Sequence, residues 1–286
     1  MNKELIIRSS SEAVDFALLK DGKLIELHKE QEASNFQVGD IFIAKIRKPV
    51  AGLNAAFVNV GFEKDAFLHY HDLGPNLASQ LKFIKLVSAG KIKDFSLKNF
   101  QFEKEIDKDG SITDIINSNQ SILVQVVKEP ISTKGPRISA ELSLAGRFIV
   151  LVPFSDRVSI SQKIEDKKEK ERLKRLVQAV KPKGFGVIVR TVAEGKSTVE
   201  LEKDLQNLIE RWTAMCKKLP TAHHPSKVLG ELNRASSILR DVFNDTFSGI
   251  QIDDEELYNQ TKDYLQEIAP SKTSIVKFYQ SRDTPI

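Results

Sequence analysis

The chain has 286 residues, a length that predicts two or more domains. Its 43 Lys and Arg residues slightly exceed its 39 Asp and Glu residues, and 41% of the residues are hydrophobic, which excludes wholesale disorder. The longest apolar run, 148–152, is far shorter than the roughly 20 residues of a membrane-spanning helix, and the single cysteine excludes an internal disulfide or a thiolate metal cluster.

The N-terminal region predicts a β-hairpin and no signal peptide. Charged residues interrupt every apolar patch there, so a cytoplasmic location is expected. Residues 4–28 alternate in strand fashion, and Lys20-Asp21-Gly22-Lys23 has the residues of a two-residue hairpin turn. Because an isolated hairpin is only marginally stable in water, we expect a later segment of the chain to cover it.

Short apolar segments at close spacing then predict a small β-barrel. Its strands are expected near 41–49, 55–60, 66–70 and 122–127. A Lys-rich stretch at 76–119 separates the third strand from the fourth, and we interpret it as an insertion on the barrel rim. Within it the sequence predicts a helix over 77–87 and a mobile loop at 107–111.

A small α/β module is predicted after residue 137. It contains a buried strand at 147–153, an amphipathic helix within 163–183 and a second apolar run at 184–191. The helical segment has nine basic and four acidic residues, and its Leu and Val residues recur at helical spacing. We interpret its charges as a solvated helix face.

The C-terminal third of the sequence predicts three helices and two strands. They are a helix over 199–212, a helix over 228–242, a strand at 247–252, a helix over 257–268 and a strand at 274–279. Asp253 and Glu256 resemble the N-cap and capping box of the third helix. The late strands are expected to complete the sheet that the hairpin begins, which makes the outer domain discontinuous.

Two phenylalanines lie on the more polar faces of adjacent predicted barrel strands. Phe57 shares a face with Asn59, and Phe67 shares a face with Asp65 and His69. Rings displayed on a small barrel can stack with unpaired nucleotide bases. Two interpretations stay open: the rings form a stacking platform, or the faces are misassigned and the rings belong to the core.

Other segments with chemical potential have simpler structural explanations. The acidic run 253–256 suits the start of a helix, and Gly195-Lys196-Ser197 lacks the first glycine of a P-loop. His69 and His71 have the spacing to share one strand face, and His223-His224 lies in a polar loop. Neither pair has a third ligand in the sequence, so no metal site is predicted.

A series of short motifs extends over nearly the whole chain. It begins with Ala55-Ala56-Phe57-Val58-Asn59-Val60-Gly61 and Ala66-Phe67-Leu68. It continues with Thr133-Lys134-Gly135-Pro136-Arg137, Ser143-Leu144-Ala145-Gly146-Arg147, Ser161-Gln162-Lys163-Ile164-Glu165 and Gly186-Val187-Ile188-Val189-Arg190-Thr191. In this order the motifs resemble those of the ribonuclease E/G family, and the first two resemble its RNA-binding OB-fold of the ribosomal S-one type.

The resemblance implies an α+β multidomain fold. A discontinuous RNase H-like domain would comprise 1–37 and 215–286. An inserted OB-fold β-barrel of the ribosomal S-one type would comprise 38–130, with a long insertion at about 74–119. A small α/β 5′-sensor module would comprise 131–214.

The resemblance also implies which residues contact single-stranded RNA. Phe57 and Phe67 would stack bases, and Lys134 would neutralise backbone charge. Arg190 and Thr191 would bind the 5′-terminal monophosphate, because a guanidinium can grip phosphate oxygens and a hydroxyl adds a donor. Backbone contacts to the terminal nucleotide would come from a further matching residue, Val150.

This chain departs from the family pattern at the 5′-sensor. Many family members have two arginines after the serine of the third motif, whereas this chain has Gln162-Lys163. One cation that faces the phosphate is therefore absent. The departure predicts that the 5′ end is sensed more weakly or with a different arrangement.

The resemblance implies a parent protein that is a magnesium-dependent endoribonuclease, a hydrolase acting in rRNA processing or mRNA decay. Two aspartates of a DNase I-like domain hold the magnesium in the family, and they lie beyond the point that matches Ile286. No catalytic or metal-binding residue is therefore assigned here, and we expect the chain to bind RNA without cutting it. The alternative is a stand-alone, non-catalytic RNA-binding regulatory protein.

The segment 279–286 resembles the strand and turn that precede the family's catalytic domain. Family members often form homo-oligomers through regions that this sequence does not contain, including a cysteine pair that shares zinc. The resemblance therefore implies a homo-oligomeric parent and a monomeric piece, with no membrane partner.

Overall fold

The computed structural model describes residues 2–10, 13–31, 36–131, 134–244 and 246–280. The chain is a mixed α+β protein that divides into one unit of Met1–Asn35 with Leu232–Ile286 and another of Phe36–Glu231. Thr133, the first residue of the motif at 133–137, and residues 281–286 of the family-like segment 279–286 lie outside the described residues. The domain boundaries drawn from the sequence stay a prediction.

The regular elements follow the predicted order closely. The strands are β1 (Lys3–Ser9), β2 (Ala13–Lys20), β3 (Lys23–Gln31), β4 (Ile41–Val50), β5 (Ala55–Asn59), β6 (Ala66–His69), β7 (Ser121–Lys128), β8 (Arg137–Ser139), β9 (Leu144–Ala145), β10 (Ile149–Pro153), β11 (Val158–Ile160), β12 (Phe185–Val189), β13 (Ser226–Leu229), β14 (Phe247–Ile252) and β15 (Val276–Phe278). The helices are α1 (Leu77–Ser88), α2 (Ile112–Ile115), α3 (Lys167–Val180), α4 (Thr198–Lys218), α5 (Arg234–Val242) and α6 (Glu255–Ile268). None of the helices in the described ranges is long and apolar enough to cross a membrane.

The first unit contains a five-stranded mixed sheet with the order β15-β14-β1-β2-β3. Strand β1 is antiparallel to β2 and parallel to β14, so late strands complete the sheet that the N-terminal strands begin, as predicted. Asp21 and Gly22 both have positive φ, 49° and 75°, which is the geometry of a type I′ hairpin turn. The core of this unit combines apolar residues of β1, β2 and β14 with those of α5 and α6.

The second unit begins with a closed barrel. Strands β4, β5, β6, β8 and β7 follow one another around it, and the pairing of β4 with β7 closes it, consistent with an OB-like fold. Strand β13 joins the open side of β4. Along β5 and β6 buried residues alternate with partly exposed ones, because successive side chains of a strand point to opposite faces.

A four-stranded sheet with the order β11-β12-β10-β9 follows the barrel within the same unit. Helix α4 begins with a capping box in which Ser197 and Glu200 each accept the other's backbone N–H. The fully buried Trp212 of α4 lies 5.7 Å from the ring of Phe83 in α1, measured between ring centroids. The insertion and the α/β sheet therefore share one core.

The loop at 107–111 is anchored to the barrel by side chains. The Tyr70 hydroxyl donates to the Asp107 carbonyl at 2.5 Å, and the Asn54 side-chain amide donates to the Gly110 carbonyl at 3.0 Å. Gly110 is needed at this contact, because a Cβ there would lie 2.2 Å from the Tyr70 hydroxyl oxygen. The mobility of the loop stays a prediction.

Two predicted elements are wrong in their bounds. Residues 226–229 form β13 instead of starting a helix, because they pair with β4, and α5 begins only after its cap, Asn233. The strand expected at 274–279 is restricted to β15, because a 3₁₀ helix occupies Pro270–Ile275. In both cases local periodicity is insufficient, because the bounds of each strand depend on the distant strand that it pairs with.

The predicted cap of α6 is displaced by one residue. The carboxylate of Asp254 caps the helix, because it accepts the backbone N–H of Leu257 at 2.8 Å. The carboxylate of Asp253 instead accepts the backbone N–H of Ser9 at 2.6 Å. The predicted capping box with Glu256 is therefore wrong, and the acidic run has structural partners.

Candidate nucleic-acid interface

Phe57 and Phe67 lie opposite each other on the outer face of the barrel. They are direct partners in the pairing of β5 with β6, and their ring centroids are 6.1 Å apart with the planes at 67°. Their strand neighbours Ala56, Val58 and Leu68 are 0% exposed, whereas both rings are partly exposed. The interpretation that the two rings belong to the barrel core is therefore wrong.

A cation lies at each end of this pair. Lys48 of β4 is the cross-strand partner of Phe57, and Arg137 of β8 is the partner of Phe67. We call Lys48, Phe57, Phe67 and Arg137 the ring row. Lys48 is exposed, and the Arg137 side chain, 48% exposed, donates to both carboxylate oxygens of Asp72. The row therefore presents two rings between an exposed lysine and an arginine whose charge is paired with Asp72.

A β-bulge in β4 sets the composition of the ring row. Ile46 pairs with Val58, but the register shifts before the next pair, so Lys48 and not Arg47 lies opposite Phe57. Arg47 is left over by the bulge, and its guanidinium lies 3.7 Å from the Asp65 carboxylate. Lys48 could not be identified from the sequence, because strand alternation alone does not reveal a register shift.

Lys134 is brought close to the chain that leads into Phe67. The Phe67 backbone N–H donates to the Pro136 carbonyl at 3.2 Å, and Lys134 itself is exposed. The intervening Gly135 permits this approach, because a Cβ there would lie 2.5 Å from the Asp65 carbonyl oxygen. Lys134 thus lies two residues before the carbonyl that pairs with Phe67.

The three residues implied for the 5′ end also lie together. Val150 in β10 pairs with Ile188 in β12, and Arg190 and Thr191 follow directly after β12. The Arg190 backbone N–H donates to the Phe148 carbonyl at 2.8 Å, which continues the pairing of the two strands. Arg190, Thr191 and Val150 are all partly exposed.

A partly buried carboxylate organises the turn before β10. Asp204 of α4 accepts the backbone N–H groups of Arg147, Phe148 and Ile149 at 3.0, 2.8 and 3.0 Å. Burial raises the pKa of Asp204 above its ordinary value, while the three N–H donors and the charge of Arg190 oppose that shift. The turn is therefore held to α4 by one side chain.

Gly146 connects this turn to Arg190. The Arg190 guanidinium donates to the Gly146 carbonyl at 2.8 Å. A Cβ at residue 146 would lie 2.6 Å from a carboxylate oxygen of Asp204, so only glycine leaves the Asp204 contacts in place. The turn consequently fixes one edge of the guanidinium.

The Thr191 hydroxyl lies 2.9 Å from the Ser161 hydroxyl, which ties it to the segment after β11. Gln162 and Lys163, at the departure from the family pattern, are both exposed beside Ser161. The Lys163 backbone N–H donates to the Ser161 hydroxyl at 3.3 Å. A lysine, Lys163, therefore stands at the second of the two positions, two residues after the hydroxyl that contacts Thr191.

An ion pair holds the segment that follows Thr191. The Glu169 carboxylate accepts two Arg172 N–H groups, both at 2.6 Å, and the Gly195 backbone N–H at 2.8 Å. Arg172 also donates to the Lys196 carbonyl at 2.9 Å. These bonds lower the pKa of Glu169 to about 2. Gly195-Lys196-Ser197 thus has a structural explanation.

The histidines do not form the arrangement considered from the sequence. Strand β6 ends at His69 and His71 lies in the 3₁₀ turn Tyr70–Asp72, so the prediction that they share one strand face is wrong. Burial lowers the pKa of His224. Over the described ranges, no group of three His, Cys, Asp or Glu side chains is placed to hold a metal ion.

The chain is similar to known ribonucleases along almost its full length. It is 30% identical over 282 residues to ribonuclease G of Escherichia coli (strain K12), and the match covers 99% of this chain and 54% of the relative. Ribonuclease G of Haemophilus influenzae is 31% identical, with 99% and 54% covered, and ribonuclease E of Nostoc sp. is 30% identical, with 96% and 35% covered.

The chain thus spans about half the length of the ribonuclease G proteins that it matches. The sequence model described as the ribonuclease E/G family matches residues 143–286, about half of the chain. This segment includes Val150, Arg190 and Thr191, while the relatives' matches extend over the barrel as well. The chain belongs to the ribonuclease E/G family.

Proposed function

We propose that the chain is the RNA-binding and 5′-monophosphate-sensing part of a ribonuclease E/G-type endoribonuclease that acts on single-stranded RNA. The observation that carries the proposal is the ring row, with two partly exposed rings between Lys48 and Arg137. Unpaired bases stack on such rings, and the exposed Lys48 can neutralise a backbone phosphate. Paired bases are not available for this contact, so the row favours single strands.

The 5′-sensing part of the proposal depends on Arg190 and Thr191. A guanidinium and a hydroxyl on adjacent residues supply donors of the kind that bind a terminal phosphate. The Gly146 carbonyl and the Ser161 hydroxyl orient these two side chains, which supports a preformed site. Val150 contributes backbone contacts to the terminal nucleotide in this proposal.

We assign magnesium-dependent RNA hydrolysis, in rRNA processing or mRNA decay, to the whole protein. The relatives are named ribonucleases, which supports a hydrolase, and we further propose a cytoplasmic homo-oligomer. The strand order of the first unit, with β1 between an antiparallel and a parallel neighbour, supports its RNase H-like assignment. The described residues offer no donor set that fits magnesium, so no step here involves the metal.

Binding of a 10-nucleotide RNA with a 3′-terminal fluorophore tests the ring row. Phe57→Ala and Phe67→Ala are each expected to weaken binding about fivefold to a hundredfold, the range for one lost stacked base. Phe247→Ala is the matched control, because its ring is buried in the core of the other unit. It is expected to lower the Tm strongly and leave the affinity of the folded protein unchanged. Unchanged affinity in both barrel variants would refute the platform.

Two RNAs that differ only in a 5′-monophosphate or a 5′-hydroxyl test the second site. The phosphorylated RNA is expected to bind about tenfold more tightly, a difference of about 1.4 kcal/mol. Thr191→Val, which removes the hydroxyl and keeps the shape, is expected to reduce this ratio, while Thr191→Ser preserves it. Equal affinities of the unaltered chain for the two RNAs would contradict 5′ sensing. Cleavage of either RNA by highly purified 1–286 with magnesium would contradict the prediction that this chain only binds.

A further inference from the structure

The insertion between β6 and β7 contains an open pocket whose residues take no part in the proposed RNA contacts. Its cavity has a volume of about 370 Å³ and is lined by residues of the segment 82–101, and we call it the insertion pocket. Sites for small organic ligands have volumes of about 300 to 1,000 Å³. The insertion pocket is therefore large enough for a small organic molecule.

The lining of the insertion pocket offers apolar and aromatic contacts. The buried Phe83 and Leu97 belong to the core that the insertion shares with the α/β sheet. Leu86, Ile92 and Phe100 are only partly buried, so they leave apolar surface open in the pocket. Covering such surface with a ligand is favourable, and the Phe100 ring adds an aromatic contact. The lining thus suits the body of an aromatic molecule.

The chain around the insertion pocket is held in place at both ends of the segment. Helix α1 ends in a Schellman motif, in which the Lys91 backbone N–H donates to the Leu86 carbonyl at 2.9 Å and Gly90 has a φ of 68°. At the far end of the segment, the Lys82 ammonium donates to the Gln101 carbonyl at 2.9 Å. A pocket that is already formed loses less conformational freedom when a ligand binds.

Two lysines at the insertion pocket are available to contact a ligand. A third, Lys82, is engaged, because its ammonium lies 2.7 Å from the Glu103 carboxylate. Lys91 and Lys93 flank Ile92 in the sequence, line the pocket and are exposed. Neither forms an ion pair within the part of the chain that the structure describes. Their positive charges therefore favour an anionic group in the ligand.

One acidic residue, Asp94, also lines the insertion pocket, within the described range 36–131. Its two carboxylate oxygens accept the backbone N–H and the hydroxyl of Ser96, both at 2.9 Å. These bonds, the backbone bond first, lower the pKa of Asp94. The carboxylate is thus directed to its own turn, and Lys91 and Lys93 outnumber it at the pocket.

We propose that the insertion pocket binds a small aromatic anion, a ring system that carries a carboxylate, sulfonate or phosphate group. The ring system packs against Leu86, Ile92 and Phe100, and the anionic group contacts Lys91 and Lys93. Because the cavity has the volume of a small-ligand site, the ligand is a free small molecule and not a stretch of RNA. The pocket is therefore a second ligand site, separate from the ring row and from the Arg190 site.

Two fluorescent probes test the insertion pocket in the unaltered chain. Anilinonaphthalene sulfonate is a small aromatic anion, and phenylnaphthylamine presents the same rings without the charge. The sulfonate is expected to bind the folded chain saturably, with one probe per chain. Absence of saturable binding would overturn the proposal.

Lys91→Gln and Lys93→Gln test the anionic half of the ligand. Each is expected to weaken binding of the sulfonate about twofold to fivefold, the range for an exposed ion pair, and to leave the affinity for the amine unchanged. Lys98→Gln is the matched control, because Lys98 is exposed in the same segment and lies outside the lining. An equal loss in Lys98→Gln, or equal losses for the two probes, would overturn the anion site.

Asn99→Trp tests whether the probes occupy the cavity. Asn99 is exposed and lines the pocket, so an indole there fills part of the cavity and leaves the core unchanged. Both probes are expected to bind about tenfold more weakly. Asn117→Trp is the matched control, since Asn117 is exposed in the same insertion and outside the lining, and it is expected to change neither affinity. Unchanged affinities in Asn99→Trp would place the probes elsewhere and overturn the proposal.

Competition with the 10-nucleotide RNA keeps this proposal distinguishable from the proposed function. The RNA is expected not to displace the sulfonate, and Phe57→Ala is expected to weaken RNA binding without changing the affinity for either probe. Displacement of the sulfonate would assign the pocket to RNA and overturn a separate small-molecule site. Unchanged RNA affinity in Phe57→Ala would instead refute the stacking platform and leave the insertion pocket standing. The exposed substitutions are each expected to keep the Tm within about 2 °C of the unaltered chain.

Discussion

Replacing Asp204 by Asn is expected to destabilise the turn before β10 and to impair 5′-end recognition together. The carboxylate accepts three backbone N–H groups within 3.0 Å, from Arg147, Phe148 and Ile149. An amide side chain offers one oxygen and turns an N–H₂ group towards the same donors. At least one buried backbone N–H therefore loses its acceptor.

The magnitude follows from the number of bonds lost. A hydrogen bond to a charged group contributes about 1.5 to 3 kcal/mol, and each buried donor left without a partner costs about 1 to 3 kcal/mol. The burial that raises the pKa of Asp204 offsets part of this, because removing a buried charge is favourable. We therefore expect a loss of about 2 to 3 kcal/mol, which corresponds to a Tm lower by about 5 to 10 °C.

Thermal unfolding and the two 5′-variant RNAs provide the measurement. Because the displaced turn carries the Gly146 carbonyl that orients Arg190, the binding preference for 5′-monophosphate RNA should fall towards one. If Asp204 acted only as a competing negative charge near Arg190, its removal would instead increase that preference. An increased preference, or a Tm within 2 °C of the unaltered chain, would refute the reasoning.

Glu202→Gln is the matched control for this experiment. It makes the same acid-to-amide change on the same helix, two residues away, at an exposed position. Exposed substitutions of this kind usually change stability by less than about 0.5 kcal/mol. A Tm loss equal to that of Asp204→Asn would show that the change of charge on α4, and not the loss of the turn contacts, causes the effect.

Three further predictions concern the ion pair, the glycine and the ring row. The pKa of Glu169 is about 2, below its ordinary value of 4.5, so its charge stabilises the fold above pH 4.5 and this stabilisation is lost as the pH falls towards 2. The stability of Glu169→Gln against unfolding should therefore depend less on pH over this range. Gly146→Ala should lower both the Tm and the preference for 5′-monophosphate RNA, because the added Cβ clashes with the Asp204 carboxylate. Both effects should be smaller in an Asp204→Ala background, which lacks that carboxylate. If the effects of the two substitutions were fully additive, this contact would be contradicted. Lys48→Ala should weaken RNA binding at low salt and reduce the slope of log affinity against log salt by about 0.7; an unchanged slope would exclude a phosphate contact.

The faces of the barrel strands could be predicted from the sequence because their period is local. Ala56, Val58 and Leu68 alternate with Phe57 and Phe67, and the structure has the first three buried and the two rings at the surface. This alternation needs only the geometry of a single strand. The same applies to the hairpin turn, whose Asp and Gly residues adopt positive φ as their types allow.

The charged part of the ring row could not be predicted in this way. Lys48 meets Phe57 only because a bulge after Ile46 shifts the register of β4 by one residue. Arg137 meets Phe67 only because β8 is placed parallel to β6 across a sequence separation of 70 residues. Both facts depend on strand pairing, which local patterns do not encode.

Asp204 was missed for a related reason. It lies among charged residues near the start of an amphipathic helix, where an acid is ordinarily a solvated side chain. Its three partners lie 55 to 57 residues earlier in the chain. The one sequence signal was Gly146, because a glycine can mark a backbone position that another group approaches closely. The sequence does not show that this group is the Asp204 carboxylate.

The insertion between β6 and β7 packs against both the barrel and the sheet that carries Val150. Its helix α1 places Phe83 against Trp212 of α4, and the Trp212 ring N–H donates to the Phe95 carbonyl at 2.9 Å. The same core includes Ile43 of the barrel and Leu151 of the sheet that carries Val150. Because close-packed cores transmit displacement instead of absorbing it, this shared core restricts movement of the barrel relative to the α/β sheet. If the ring row stacks bases and Arg190 binds a 5′-terminal phosphate as proposed, the insertion is therefore the packing layer that sets the length of RNA between them.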